Sequence, residues 1–190
     1  TGFQSCIDKS REHYEKGNEH YDNENYKDAI KEYSIALEID KEYADAYYKR
    51  GLSKLYLGIY NKAIEDFNKV HKLAPDNTYV LIYRGDAYGG SGDYYAAIAD
   101  YTSVLKDNPD HFQARFNRGL AWNMIEEYRK AISDFDYILD QYPGNGDAYN
   151  HRSYSKLKLG MLKQAMKDVN KSMEIYLYNP LAFRNKGLIY

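Results

Sequence analysis

Four arginines and four aspartates recur along this 190-residue chain at intervals of 34 residues. We call this set the charge ladder: Arg50, Arg84, Arg118, Arg152, Asp66, Asp100, Asp134 and Asp168. An arginine and a carboxylate can form a charge-assisted, bidentate contact, so the spacing predicts ion pairs within one repeat or between adjacent repeats. The alternative is that the arginines bind an acidic ligand. Their fourfold recurrence favours the structural role.

At the equivalent places near the N-terminus, both members of the ladder change together, to Lys16 and Glu32. The charge at each place is kept, which predicts that these two side chains are also in contact.

Patterns for catalysis and for metal binding are absent from the sequence. No nucleophile, base and orienting acid stand where the sequence would bring them together, so we expect no enzymatic activity. Cys6, His13 and His20 could share one helix face, but their spacing matches no common zinc pattern. We therefore expect neither a metal nor another cofactor.

The elements that position these side chains are helices. Between Tyr47 and Leu55, apolar or small residues recur every fourth position, which predicts a first helix that ends near Gly58. From Tyr60 onward the apolar residues follow the stripe of a second amphipathic helix. Pro75 prevents that helix from continuing.

The same two-helix unit recurs along the chain. Glycines recur at 34-residue intervals at Gly17, Gly51, Gly85 and Gly119, and alanines at Ala29, Ala63, Ala97, Ala131 and Ala165. Counted from residue 10, the unit has Gly at its eighth position, Tyr at its seventeenth, Ala at its twentieth, Tyr or Phe at its twenty-fourth and Pro at its thirty-second. This pattern resembles the tetratricopeptide repeat.

The resemblance covers nearly the whole chain and implies its architecture. We expect an all-α, right-handed superhelical solenoid of antiparallel helix pairs. The expected divisions are an N-terminal extension at 1–9, five repeats at 10–43, 44–77, 78–111, 112–145 and 146–179, and at 180–190 the first helix of a sixth repeat or a capping helix.

The resemblance also implies that the first helices line a concave groove. The positions that the family directs into it are occupied here by Tyr14, Asn18, Tyr48, Lys49, Leu52, Ile82, Tyr83, Asp86, Phe116, Asn117, Leu120, Asn150, His151 and Tyr154. Tyrosine rings and asparagine amides suit an extended peptide, because the ring buries apolar side chains and the amide pairs with the ligand backbone. The alternative is that a biased genome scattered Tyr and Asn over an idle surface.

Some tetratricopeptide repeats grip a C-terminal carboxylate with a cluster of Lys, Asn and Arg. Asn18 resembles one member of that clamp, but Tyr14, Lys49, Tyr79 and Tyr83 stand at the other positions. We therefore expect a non-enzymatic interaction scaffold that binds an extended peptide or a partner helix without this clamp. The alternatives are a self-assembling structural module and a targeting or regulatory arm of a longer protein.

Composition limits the class of partner. The 26 basic and 28 acidic residues give a formal net charge of -2, so we expect a protein or peptide partner and no nucleic acid. The composition is also compatible with a homo-oligomer. No apolar run is long enough to span a membrane. The single cysteine fits a reducing compartment, for which the cytoplasm is the expectation. The chain begins without Met or a signal peptide, as expected for a piece of a longer protein.

Overall fold

The computed structural model describes the backbone of residues 2–176 and 180–189, and the side chains of residues 8–176 and 180–189. The side chain of Cys6 lies outside these ranges. The described residues form helices and short connections, with no strand among them. Their eleven helices are α1 (Gly2–Asp22), α2 (Tyr26–Ile39), α3 (Ala44–Tyr56), α4 (Tyr60–Leu73), α5 (Tyr79–Ser91), α6 (Tyr94–Asp107), α7 (Phe112–Met124), α8 (Tyr128–Gln141), α9 (Gly146–Lys158), α10 (Leu162–Ile175) and α11 (Pro180–Gly187).

The helix ends follow from the turn residues that the sequence provides. The residue at the turn inside each repeat has a positive φ: Glu24, Gly58, Gly92, Glu126 and Gly160 lie between +59° and +89°. This is the left-handed conformation in which a helix commonly ends, and glycine adopts it without strain. Three of the second helices end two residues before a proline, as expected.

The first helix extends beyond the expected first repeat. The expected N-terminal extension at 1–9 is helical from Gly2, and α1 continues from it into the first expected repeat. No proline or glycine stands between Phe3 and Lys16, so nothing in this stretch interrupts the helix. Residue 10 is therefore not a helix boundary.

The chain divides into two compact units, Thr1–Ser103 and Val104–Tyr190. In the first unit, α1 packs on α2, α2 on α3, α3 on α4 and α4 on α5. The first helices also touch one another, α1 with α3 and α3 with α5. Helices α2 to α5 have 13 or 14 residues and are marginal alone, so these contacts supply their stability.

The glycine at the eighth position of four repeats makes room for an aromatic ring of the second helix. A Cβ placed at Gly51 would lie 2.7 Å from the ring of Phe67, and one at Gly85 would lie 2.7 Å from the ring of Tyr101. The fifth repeat has Ser153 at this place, where the buried partner is the smaller Val169. Close packing of one helix pair therefore depends on both positions together.

The second unit has its own core. Ala131, Phe135, Ile138, Leu139 and Ala148 form a buried cluster between α8 and α9. Here α7 packs on α8, α8 on α9 and α9 on α10, and α11 contacts both α9 and α10. No helix of the described residues is long and apolar enough to cross a membrane.

Candidate functional site

In the first unit, tyrosines connect the exposed faces of neighbouring first helices. The rings of Tyr48 on α3 and Tyr83 on α5 meet edge to face at 5.7 Å, and each lies 6.4 Å from the buried ring of Phe67. Both tyrosines are half-buried. Burial and a hydrogen bond with Tyr83 raise the pKa of Tyr48, so its hydroxyl stays protonated near neutral pH.

A second group of rings lies on the same unit and was missed by the sequence analysis. Tyr26 stacks on Tyr56 at 5.0 Å, and the edge of Tyr21 meets Tyr26 at 5.5 Å. The Nζ of Lys49 lies 4.5 Å from the centroid of the Tyr21 ring. Tyr21 and Tyr56 occupy the twelfth and thirteenth positions of their repeats, which the family also directs into the groove. The positional rule would thus have found both.

We call these six side chains the aromatic surface: Tyr21, Tyr26, Tyr48, Lys49, Tyr56 and Tyr83. Tyr56 is its most open ring, with 58% of the residue exposed. The surface joins first helices α1, α3 and α5, and the second helix α2 contributes Tyr26.

Other predicted groove residues of the first unit have partners inside the protein. The hydroxyl of Tyr33 donates to Asn18 at 2.9 Å, and that of Tyr101 donates to Asp86 at 2.6 Å. Leu52 and Ile82 are each only 5% exposed. Packing within helix pairs is therefore the main role of the four groove residues Asn18, Leu52, Ile82 and Asp86.

Tyr14 is half-buried between Tyr33 and Tyr43, at ring distances of 5.8 and 4.9 Å. Burial is the main cause that raises the pKa of Tyr14, and it raises that of Tyr43 to about 12. Tyr14 thus extends the row of rings toward the N-terminal end of the unit.

In the second unit, the predicted groove residues are also partly used for packing. His151 stacks on Phe135 at 5.9 Å and meets the edge-on ring of Phe116 at 5.6 Å. Burial lowers the pKa of His151. Leu120 packs against the core, while Asn117 is half-buried.

Two amides of this unit hold α11 in place. Asn150 is 2% exposed, and both its carbonyl oxygen and its Oδ1 accept from Nδ2 of Asn185. Tyr154 is half-buried and meets Tyr128 edge to face at 6.3 Å. Asn150 is therefore placed within the α9–α11 contact, whereas Tyr154 keeps an accessible edge.

The structure brings the members of the charge ladder together pairwise. Each arginine donates through Nε and Nη2 to the aspartate sixteen residues later, at 2.6–2.9 Å. The pair joins the two helices of one repeat. In three repeats, Nη1 donates to the preceding second helix, at Ser34, Asn68 and Asp136 respectively. Contacts within a repeat and between adjacent repeats therefore both occur.

The first repeat is paired differently from the expectation. Lys16 donates to Glu12 one turn earlier, and Glu32 is bonded to Nδ1 of His13 at 2.6 Å. The predicted contact between Lys16 and Glu32 is replaced by these two. Lysine lacks the guanidinium fork that binds a carboxylate bidentately, and His13 bonds Glu32 instead. These two differences account for the change.

Among the described residues, no group of three or more His, Cys, Asp and Glu side chains is arranged to hold a metal ion.

Comparisons with known proteins identify similar sequences and folds. Family models described as tetratricopeptide repeat match residues 17–58, 44–77 and 84–166. A search of curated proteins found no match. The structure of YrrB, a TPR protein with an unusual peptide-binding site, has 21% identity and a TM-score of 0.83, covering 98% of each chain.

Two further solved structures have the same fold. MamA from residue 41 to its end, from Desulfovibrio magneticus, has 21% identity and a TM-score of 0.84, covering 88% of this chain and 95% of its own. A tetratricopeptide repeat protein from Parabacteroides merdae has 21% identity and a TM-score of 0.77, covering 95% of this chain and 70% of its own. These similarities confirm the expected fold class.

Proposed function

Because this chain belongs to the tetratricopeptide repeat family, we propose that it is a non-enzymatic protein-interaction scaffold whose aromatic surface binds an extended peptide segment. The observation that carries this proposal is the contact between tyrosines of successive first helices. Tyr21 reaches Lys49, and Tyr48 reaches Tyr83, so one continuous row of side chains crosses α1, α3 and α5.

The chemistry of this row suits a peptide with apolar side chains. Half-buried tyrosine rings provide contact area while losing little conformational entropy, and their hydroxyls can pair with backbone groups. The amides that we expected to pair with a ligand backbone contribute less, since Asn18 and Asn150 are bonded within the protein. Recognition therefore rests on the rings and on Lys49.

A carboxylate clamp does not form part of this proposal. Tyrosines stand at three of the clamp positions, Tyr14, Tyr79 and Tyr83, and Lys49 at a fourth lies over the Tyr21 ring. YrrB, with its unusual peptide-binding site, supports peptide binding by this fold without prescribing the same residues. The ligand segment expected here is internal and apolar.

Selection from a random-peptide display library tests the proposal. The affinity of a selected peptide is then measured by fluorescence anisotropy for the unmodified chain and for a variant carrying Tyr48→Ala and Tyr83→Ala. We expect the variant to bind at least about tenfold more weakly, because buried aromatic anchors dominate peptide affinity.

Tyr95→Ala is the matched control, because Tyr95 lies on the second helix α6 and is 73% exposed. This control should bind as the unmodified chain does. Equal binding by all three proteins, with unchanged helical circular dichroism, would contradict the aromatic surface as the binding site.

A further inference from the structure

Two cavities that share five equivalent lining residues lie beside the charge ladder, one in each unit. The cavity of the second repeat has a volume of about 550 Å³ and that of the fifth about 830 Å³. Both are lined by a Tyr, an Arg, an Asp, an Asn and a Lys at equivalent positions. In the second repeat these are Tyr47, Arg50, Asp66, Asn68 and Lys69. None of the residues lining either cavity belongs to the predicted groove.

The repeat fold does not require the Tyr, the Asn and the Lys that the two linings share. The third and fourth repeats keep the Arg and the Asp of the ladder, but they change the other three positions. The position of Tyr47 becomes Leu81 and then Arg115, and the position of Lys69 becomes Ser103 and then Tyr137. The second and fifth repeats therefore share features that the framework itself does not need.

In the fourth repeat the protein's own side chains occupy the equivalent positions, and the cavity beside them has a volume of only about 190 Å³. The guanidinium of Arg115 lies 3.6 Å from the centroid of the Tyr137 ring and donates to Asp134 and to the carbonyl of Pro109. The hydroxyl of Tyr137 in turn donates to Asp110. In the fourth repeat a cation stacked on a ring thus accompanies a much smaller cavity.

Positive charge is in excess in both open cavities. Four cations and two carboxylates line that of the fifth repeat. In the second repeat, Arg50, Lys69 and Lys72 face Glu65 and Asp66, and Lys54 adds a charge by donating to Asp66 at 2.7 Å. Each Asp is almost fully buried and already accepts from both an Arg and a Lys. Lining cations therefore exceed lining carboxylates by two in the fifth repeat and by one in the second, where Lys54 lies outside the lining and adds a further positive charge through Asp66.

We propose that the cavities of the second and fifth repeats bind a phosphate dianion, either free or as the phosphomonoester of a small molecule. An excess of positive charge in each cavity suits a phosphate, which carries about -1.5 to -2 charges near neutral pH. Lysines bind phosphate as point charges, and arginine offers further N–H donors. The tyrosine wall and a volume well above that of phosphate leave room for an organic group.

The two sites differ in strength. The third bond of Arg152 goes to the carboxylate of Asp136, whereas that of Arg50 goes to the neutral hydroxyl of Ser34. Asp136 offsets part of the excess in the fifth repeat, so the second-repeat site binds more tightly.

Isothermal titration of the chain at constant ionic strength tests this site, with inorganic phosphate, phenyl phosphate and acetate as probes. We expect both phosphates to bind and acetate to bind much more weakly. Tighter binding of phenyl phosphate identifies a small-molecule ester as the ligand, and equal affinity identifies free phosphate. Acetate binding as tight as phosphate binding would overturn the proposal.

Charge variants locate the binding. Lys69→Gln should weaken phosphate binding at the second-repeat site about tenfold, and Lys171→Gln should do so at the fifth, because each removes a charge-assisted contact. Lys27→Gln and Lys163→Gln remove equally exposed lysines outside both linings and should leave binding unchanged. If the control variants lose as much phosphate affinity as the lining variants, only the overall charge of the chain matters and the proposed site is overturned.

The second test introduces the Arg and Tyr of the fourth repeat into the other two cavities. Tyr149→Arg with Lys171→Tyr copies the fourth-repeat arrangement into the fifth, and Tyr47→Arg with Lys69→Tyr copies it into the second. Each pair should abolish one site while circular dichroism and melting temperature stay near those of the unmodified chain. Undiminished phosphate binding by a folded chain carrying both pairs would contradict the assignment.

Discussion

At the scale of single residues, the ladder aspartates are buried charges that the protein's own cations neutralise. Asp66 is 4% exposed at its side chain and accepts from Arg50 and from Lys54. Removing the carboxylate leaves two cations in a poorly hydrated place, whereas the pair itself is a modest source of net stability.

Asp66→Ala should therefore lower the free energy of unfolding by roughly 3–5 kcal/mol, the usual cost of stranding a buried charge. Urea denaturation measures the change. Asp28→Ala is the control, because Asp28 pairs with Lys31 on an exposed helix face, and its denaturation midpoint should barely move. Similar losses for both variants would show that the ladder behaves as an ordinary surface ion pair.

His151 gives the protein a predictable response to acid. Burial between Phe116 and Phe135 lowers its pKa below the ordinary value of 6.5. Above about pH 7.5 the imidazole is neutral in the folded and unfolded states and contributes no pH dependence. As the pH falls through 6.5, the unfolded state binds a proton that the folded state does not, so stability is lost until the lower folded pKa is reached.

His151→Gln should remove this part of the acid sensitivity. Unfolding free energies from urea titrations at about pH 7.5 and about pH 5.5 are compared, and the decrease on acidification should be smaller in the variant. The other four histidines are present in both proteins, so their contributions cancel. An equal decrease in both proteins would contradict the neutral, buried state of His151.

At the scale of helices, two turns carry a strained residue where three others have glycine. Glu24 and Glu126 have φ values of +59° and +63°, a conformation that costs a residue with a Cβ about 1 kcal/mol. The position was predictable from the alignment of Glu126 with Gly58, Gly92 and Gly160, because the same turn must be made in each repeat.

Glu126→Gly should raise the free energy of unfolding by about 0.5–1 kcal/mol, because glycine relieves this strain at the price of a more flexible unfolded chain. Glu127→Gly is the adjacent control: Glu127 has a φ of -79°, so glycine should destabilise the protein there. Thermal or urea denaturation of the two variants should shift in opposite directions.

The helices themselves were largely predictable from sequence, and the reasons are local. Glycine at the turns and proline after the second helices predicted most of the helix ends. Small and apolar residues at every fourth position identified the buried faces. The start of α1 was not predictable in this way, because no residue between Phe3 and Lys16 marks a boundary. Of the candidate site, the sequence identified Tyr48 and Tyr83 but not the pairing of Asn18 with Tyr33, which depends on a contact between two helices.

At the scale of the whole molecule, each repeat depends chiefly on its neighbours. Stability in such an array is close to a sum of repeat and neighbour terms, so damage stays local. This property distinguishes the chain from a protein built around a single core.

Gly51→Ala tests this locality. The new methyl group would overlap the Phe67 ring, which should cost roughly 1–3 kcal/mol. Hydrogen exchange followed by mass spectrometry should show faster exchange in α3 and α4 than in α9 and α10. Gly144→Ala, where nothing lies within 4 Å of the added atom, should leave exchange unchanged. Uniform acceleration across the chain would indicate a single cooperative unit instead.

The hydrogen bonds from tyrosine hydroxyls to Asn18 and Asp86 have a consequence for folding. Where the second helix carries Tyr33 or Tyr101, the first carries a polar acceptor, and where it carries Phe67 or Phe135, the first carries Leu52 or Leu120. A first helix paired with the second helix of an adjacent repeat would bury a tyrosine hydroxyl against leucine, which costs about 1–3 kcal/mol. We therefore expect this alternation to disfavour misregistered pairing between repeats of the same pattern while the chain folds.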